Sequence, residues 1–118
     1  MAKHQELRDR TKHLALRVMK LAAALPRQRD ADIIAKQVLR SATSVAANYR
    51  EASRGRSDAE LISKLGIVEQ ELDETSLWLE LLVESGIVPE EKMSDLLDEV
   101  DQLLRIVVTA IKTTRTKK

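Results

Sequence analysis

Four stretches of this 118-residue chain place their candidate core residues alternately three and four apart. That period admits helices packed on neighbours and little else. The first stretch runs Leu7, Thr11, Leu14, Val18, Leu21, Leu25, and the second Ile34, Val38, Ser41, Val45, Asn48, Ala52. The third runs Leu61, Leu65, Val68, Leu72, Thr75, Leu79, Leu82, and the fourth Met93, Leu97, Val100, Leu104, Val107, Ile111. A repeat of this kind keeps one stripe of each helix against a partner. The alternation that a strand needs is nowhere sustained. Pro26, Gly55, and Gly86 with Pro89 separate the stretches. The expected helices cover about 5–25, 31–53, 58–84 and 90–113, with a flexible basic tail at 114–118. Connections this short make consecutive helices run antiparallel. The chain reads as one all-α domain over 1–118, an antiparallel up-down-up-down four-helix bundle.

Local chemistry marks the helix ends. Asp30 is the expected acceptor for free N–H groups at the start of the second helix, and Ser57 with Glu60 spells a capping box for the third. Pro89 suits a first helical turn, and Glu90 and Glu91 follow on the favourable side of the helix dipole.

Phe and Cys are absent, and Trp78 and Tyr49 are the only aromatics. The core must be aliphatic, and disulfide and thiol chemistry are excluded. No apolar run reaches the roughly 18 residues of a membrane helix, and the N-terminus lacks a signal peptide's apolar stretch. A cytoplasmic protein is expected, with no membrane partner.

Net charge is only +1, but its distribution is lopsided. Residues 1–56 hold 13 Lys and Arg against 5 Asp and Glu, whereas residues 57–118 hold 7 against 14. Such asymmetry points to a nucleic-acid face or an acidic docking face, or to two halves that pair with each other inside one bundle. A turn near Gly55 brings Arg40 beside Glu71 and Glu74, which favours the internal pairing. Ser41 and Asn48 occupy core positions and should hydrogen-bond across the bundle, because an unpaired buried polar group costs about 1–3 kcal/mol. The competing use is a recognition cluster of Asn48, Arg50 and Glu51, and the structural use, with Arg50 as a structural polar residue, is favoured over it. Leu77, Trp78 and Leu81 lie outside the main stripe, as does Leu16, and suit a self-association surface. Leu96 and Leu103 read as scattered exposed apolar residues.

The stretch LRSATSVAANYREASRGRSDAELISKLGIVEQELDETSLWLELL (39–82) closely resembles the four-helix bundle family of 23S rRNA intervening-sequence proteins. LRDRTKHLALRVMKLAAALP (7–26) matches that family's first helix as well. The resemblance implies a bacterial four-helix bundle assembled into a symmetric homo-oligomer, a homopentamer in known relatives. A related group comprises the accessory proteins of diversity-generating retroelements, basic pentamers that engage a reverse transcriptase and nucleic acid. This chain departs from that group in being nearly neutral.

An enzyme is not expected. His4 and His13 are nine residues apart, no Glu-x-x-His pair exists, and phosphate loops and nucleophile elbows are missing. Glu69, Glu71, Asp73 and Glu74 point at different angles and read as a solvated or Arg-paired face, so no metal, cofactor or small-molecule substrate is expected. The residues that suit phosphate binding are Lys3, Arg10 and Arg17, seven apart on one flank, with Lys12 and Lys20 adjoining and Arg27 and Arg29 following. RNA is the natural ligand, without sequence readout, and solvated surface charge is the competing reading. The other alternative is a protein-interaction scaffold, or an accessory subunit of a nucleic-acid enzyme, docking through Glu84, Glu90, Asp95 and Asp98.

Overall fold

A computed structural model describes residues 2–117, with side chains from His4 onward. It contains four helices, α1 (Ala2–Ala24), α2 (Arg29–Ala52), α3 (Asp58–Glu84) and α4 (Glu90–Thr116), and no strand among the described residues. They form a four-helix bundle about 51 Å long and 20 Å across, in which each helix touches two others. The seam between α2 and α3 is the most extensive, and α1 meets α4 over only a short stretch. None of these helices is long and apolar enough to cross a membrane.

The core is aliphatic. Leu14, Val18, Val38, Val45, Val68, Leu72, Leu79 and Leu82 are fully buried, as are Met93 and Leu103. In α4 the buried stripe is Met93, Leu96, Val100, Leu103, Val107 and Ile111, while Leu97 and Leu104 are half-buried at its edge. This corrects the expectation that Leu96 and Leu103 face solvent. Both sets obey a three-four alternation, so spacing alone leaves the rotation of α4 open.

Several ends differ from expectation. Gln28, not Asp30, is the N-cap of α2, and Asp30 with Asp32 sits inside the first turn, where the helix dipole favours them. Ser57 caps α3 by accepting from Glu60 N at 3.1 Å, and Glu60 accepts in return from Arg56 N at 2.8 Å. Pro89 is the N-cap of α4 rather than its first helical residue. Residues 114–116, expected as part of a flexible tail, continue α4 instead. No Gly or Pro interrupts this end, and the hydroxyls of Thr114 and Thr116 bond back to Ala110 O and Lys112 O.

Gly86 closes the end of α3 in the left-handed region, with φ of +83°. Its N–H donates to Val83 O, and Val88 N–H donates to Leu82 O, each at 3.0 Å. A side chain there meets no neighbouring atom, so its cost is purely conformational. Gly66 lies within α3, and a Cβ there also meets nothing within 4 Å. Opposite effects are expected from the same substitution. Gly86→Ala should lower unfolding stability by about 1 kcal/mol, and Gly66→Ala should raise it by roughly 0.5–1 kcal/mol. Urea midpoints of the two variants check this directly.

Candidate nucleic-acid interface

The cations of α1 do not form one flank. Arg10 turns toward α4, where its Nε donates to Glu99 Oε2 at 3.1 Å and its Nη2 to Glu99 Oε1 at 2.8 Å. Nη2 also reaches Gln102 Oε1 at 3.2 Å. The hydrogen bond to Glu99 raises the guanidinium pKa further above its ordinary value. A bidentate pair of this kind takes up the Nε/Nη2 edge and compensates the charge. Arg10 is therefore a tie between α1 and α4 rather than a phosphate contact. Its position relative to Lys12, two residues and about 200° further round the helix, explains why the two face different neighbours.

Lys12, Lys20, Arg27 and Arg29 are exposed, Arg17 is half-exposed, and none has an ion-pair partner among the described residues. The side chain of Lys3 lies outside the described residues.

Cations do converge at the α1/α2 seam. Arg8 and Lys12 from α1, and Arg50 and Arg54 from the end of α2 and the residues after it, line a groove of about 450 Å³ with Ala46 and Ala47. The one acid at this groove, Glu51, is already taken: its Oε1 accepts from Lys64 Nζ of α3 at 2.6 Å. Arg8 donates to Gln5 Oε1 at 2.6 Å, a neutral partner that leaves its charge uncompensated. Arg50 had read as a structural polar residue, but its side chain is exposed and makes no hydrogen bond among the described residues. Arg8 and Arg54 were not singled out from the sequence. Their only signal is four-residue spacing, Arg8 to Lys12 and Arg50 to Arg54, around a pair of alanines.

The remaining polar candidates sort differently. Arg40 binds Glu71 at 3.2 Å and Glu74 at 2.6 Å across the α2/α3 seam, and the hydrogen bond to Glu71 is the main cause of its raised pKa. Ser41 and Thr75, both fully buried, lie 2.8 Å apart across the same seam. Asn48 does not bridge the bundle. It is half-buried, and its amide donates within α2 to the carbonyl and hydroxyl oxygens of Ser44, each at 2.9 Å. An acceptor one turn back satisfies it without any cross-helix partner.

Among the apolar candidates, Leu16, Leu77 and Leu81 are 49%, 46% and 39% exposed. Met19 and Ile33, which were not singled out, are more exposed still. Trp78 departs from its reading as an exposed residue. It is half-buried against the core, and its Nε1–H is sealed from solvent without a hydrogen-bond partner among the described residues. Its ring lies one helix step from Leu77, near enough to the core edge to be covered by it.

A second hollow of about 490 Å³ opens where α1 and α4 diverge, lined by Leu7, Leu61, Leu65, Ile106 and Val107. At its rim Tyr49 and His4 are hydrogen-bonded at 3.0 Å, and burial pushes the Tyr49 hydroxyl pKa up. No group of three His, Asp or Glu among the described residues is placed to hold a metal ion.

Comparison with known proteins adds the lineage. The model of the family described as 23S rRNA-intervening sequence protein matches residues 3–109. The chain belongs to this family. A crystal structure from Bacteroides thetaiotaomicron VPI-5482, of a protein with unknown function from the S23 ribosomal protein family, is similar at 32% identity and a TM-score of 0.85. The likeness covers 93% of this chain and 98% of that one. No curated protein matches the sequence. Family membership fits four helices arranged as a bundle, and the groove chemistry must be argued from this chain's own residues.

The part given to Arg10 has a direct consequence. Both partners are mostly covered, with about a quarter of each side chain accessible. Arg10→Ala should cost about 1 kcal/mol, more than an ordinary surface pair, because Glu99 loses two charge-assisted bonds. The expected signature is a lower urea midpoint with an unchanged slope.

Proposed function

We propose that this protein is a non-enzymatic, oligomeric, RNA-associated bundle that holds backbone phosphates at the α1/α2 groove. The observation that carries this reading is the convergence of Arg8, Lys12, Arg50 and Arg54, with their one acidic neighbour engaged elsewhere. Three of the four are arginines, whose planar donors match phosphate oxygens two at a time. The description of the family points the same way, since it ties these proteins to 23S rRNA sequence. Cytoplasmic residence fits such a ligand and a chain without cysteine.

In this reading the helices run up-down-up-down and antiparallel. The cross-seam partners support it: going along α2 from Ser41 through Ser44 to Glu51, the partners on α3 fall from Thr75 through Glu71 to Lys64. The exposed Leu16, Leu77 and Leu81, together with Met19 and Ile33, supply apolar surface for self-association, with a pentamer as the form the family resemblance implies. A ring repeats the groove, and repeated weak phosphate contacts gain strongly from being linked.

A second reading is favoured by one observation. Glu84, Glu90, Asp95 and Asp98 are exposed and have no cationic partner among the described residues, which suits docking of a basic protein such as a reverse transcriptase.

RNA binding at about 50 and 200 mM salt tests the main reading. Log affinity should fall against log salt by about 0.7 per phosphate neutralised on a single strand. Lys12→Glu with Arg54→Glu should weaken binding at least about tenfold and flatten the salt slope by roughly one per lost contact. Arg10→Ala should leave affinity within about twofold, because that guanidinium is committed to Glu99. Unchanged affinity in the double variant would sink the groove assignment. No binding at the lower salt would leave the acidic-face reading in front.

A further inference from the structure

Resting on the RNA reading above, we propose that the α1/α2 groove takes the paired backbone of an RNA duplex in preference to an unpaired strand. Proteins that hold single strands gain most of their sequence-tolerant affinity by stacking bases on aromatic rings, alongside a cationic track for the backbone. This chain has the track and lacks the rings.

Only four side chains in the chain carry an aromatic ring: His4, His13, Tyr49 and Trp78. Tyr49 is buried, with its hydroxyl bonded to His4. That contact lies at the α1/α4 hollow, not in the basic groove. Trp78 belongs to α3, is packed against the core, and contributes nothing to the α1/α2 seam. His13 is exposed beside Lys12, but it points about 100° away round the helix. The groove itself is walled by three guanidiniums and one ammonium over the methyl groups of Ala46 and Ala47. Guanidinium planes can stack on bases, but here four like charges share one small groove. Phosphate oxygens relieve that repulsion, and a neutral base does not.

The spacing of the cations suits a rigid polyanion. Arg8 and Lys12 are four residues apart on α1, which separates their attachment points by about 6 Å along the axis. Arg50, in the last turn of α2, and Arg54, just beyond its end, line the same groove. Both rows are carried on or beside helices packed into one core, so the charges cannot follow a wandering strand. An RNA duplex presents its phosphates at fixed intervals and is recognised through backbone and shape rather than base edges. A flexible strand must be ordered on binding, and without stacking only the phosphate contacts are left to offset that loss of entropy. The alanine floor adds access: with no side chain beyond Cβ at 46 and 47, a backbone can lie down against α2.

The test uses the full-length protein as purified and a mixed-sequence RNA duplex of about 16 base pairs, with each of its strands alone. Binding is followed at a single salt concentration by anisotropy of labelled RNA and by emission of Trp78, the only tryptophan. The expected result is a duplex bound at least about tenfold more tightly than either strand, with Trp78 emission unchanged throughout. Lys12→Glu and Arg50→Glu, made separately on the two helices, should each lower duplex affinity several-fold. Both side chains are exposed, so the helical signal should match the parent, with a small fall in melting for Arg50→Glu alone, which replaces the cation in the last turn of α2. Strands bound as tightly as the duplex, or quenching of Trp78 by a strand, would overturn this inference while leaving the RNA reading in place. Binding of none of the three RNAs would overturn both together.

Discussion

The hydroxyls of Ser41 and Thr75 meet in the middle of the seam between α2 and α3, where neither residue has any contact with solvent. Each hydroxyl also has a carbonyl acceptor on its own helix, Val38 O for Ser41 and Glu71 O for Thr75, so either one can donate across the seam while the other donates along its helix. This is possible because α2 offers small side chains to its neighbour, with Ala42 and Ala52 buried alongside Ser41. A slide of either helix would break this bond, worth about 1 kcal/mol, and leave each hydroxyl only the carbonyl one turn back on its own helix. The register fixed in this way places Arg40 against Glu71 and Glu74, Ser44 against Glu71, and Glu51 against Lys64.

That register also decides where charge is cancelled and where it accumulates. The first half of the chain is basic and the second acidic. Each helix touches two others, so the bundle has four seams. Two of them, α2/α3 and α1/α4, join a basic helix to an acidic one, and both are bridged by ion pairs, Arg40 and Lys64 at the first and Arg10 at the second. The α1/α2 seam joins basic to basic, and no acid reaches Arg8, Lys12, Arg50 or Arg54 except Glu51, which Lys64 draws away. One asymmetry in the chain therefore yields internal pairing on two sides and a cationic groove on a third. The internal pairing expected from the lopsided charge is present at two seams, and the cations left over gather at a third.

This also explains which parts could be read from the sequence. The four helices and the Arg40, Glu71, Glu74 cluster follow from periodicity and a short connection, which together fix which residues of α2 and α3 come level. Rotation about a helix axis is harder to read. Met93, Val100 and Val107 belong to either candidate stripe of α4, and only packing against α3 and α1 selects Leu96 and Leu103 over Leu97 and Leu104. The same ambiguity misplaced Arg10, because seven-residue spacing from Arg17 does not say which neighbour that flank meets. Asn48 was misjudged for a different reason. A core position suggested a cross-helix bond, but Ser44 one turn earlier already provides two acceptors. The groove was illegible as a unit, since Arg8 and Arg54 come together only when the separation of α1 and α2 is known.

An aliphatic core has consequences at the surface. Without Phe, and with Tyr49 buried and Trp78 tucked against the core, the outer faces offer charge and scattered leucine but almost no ring. Hydrogen-bond readout of bases needs shaped pockets, and rings are the usual walls of such pockets. What remains to a surface like this is phosphate attraction, which is strong, insensitive to sequence and dependent on salt. Four cations per chain give little affinity alone under cellular ionic strength, so a binding role of this kind draws its strength from repetition. Under the proposed function, the exposed leucines, as a surface for self-association, and the groove that would gain from it are two parts of one arrangement. Loss of the proposed assembly would then weaken RNA binding even with every groove residue intact.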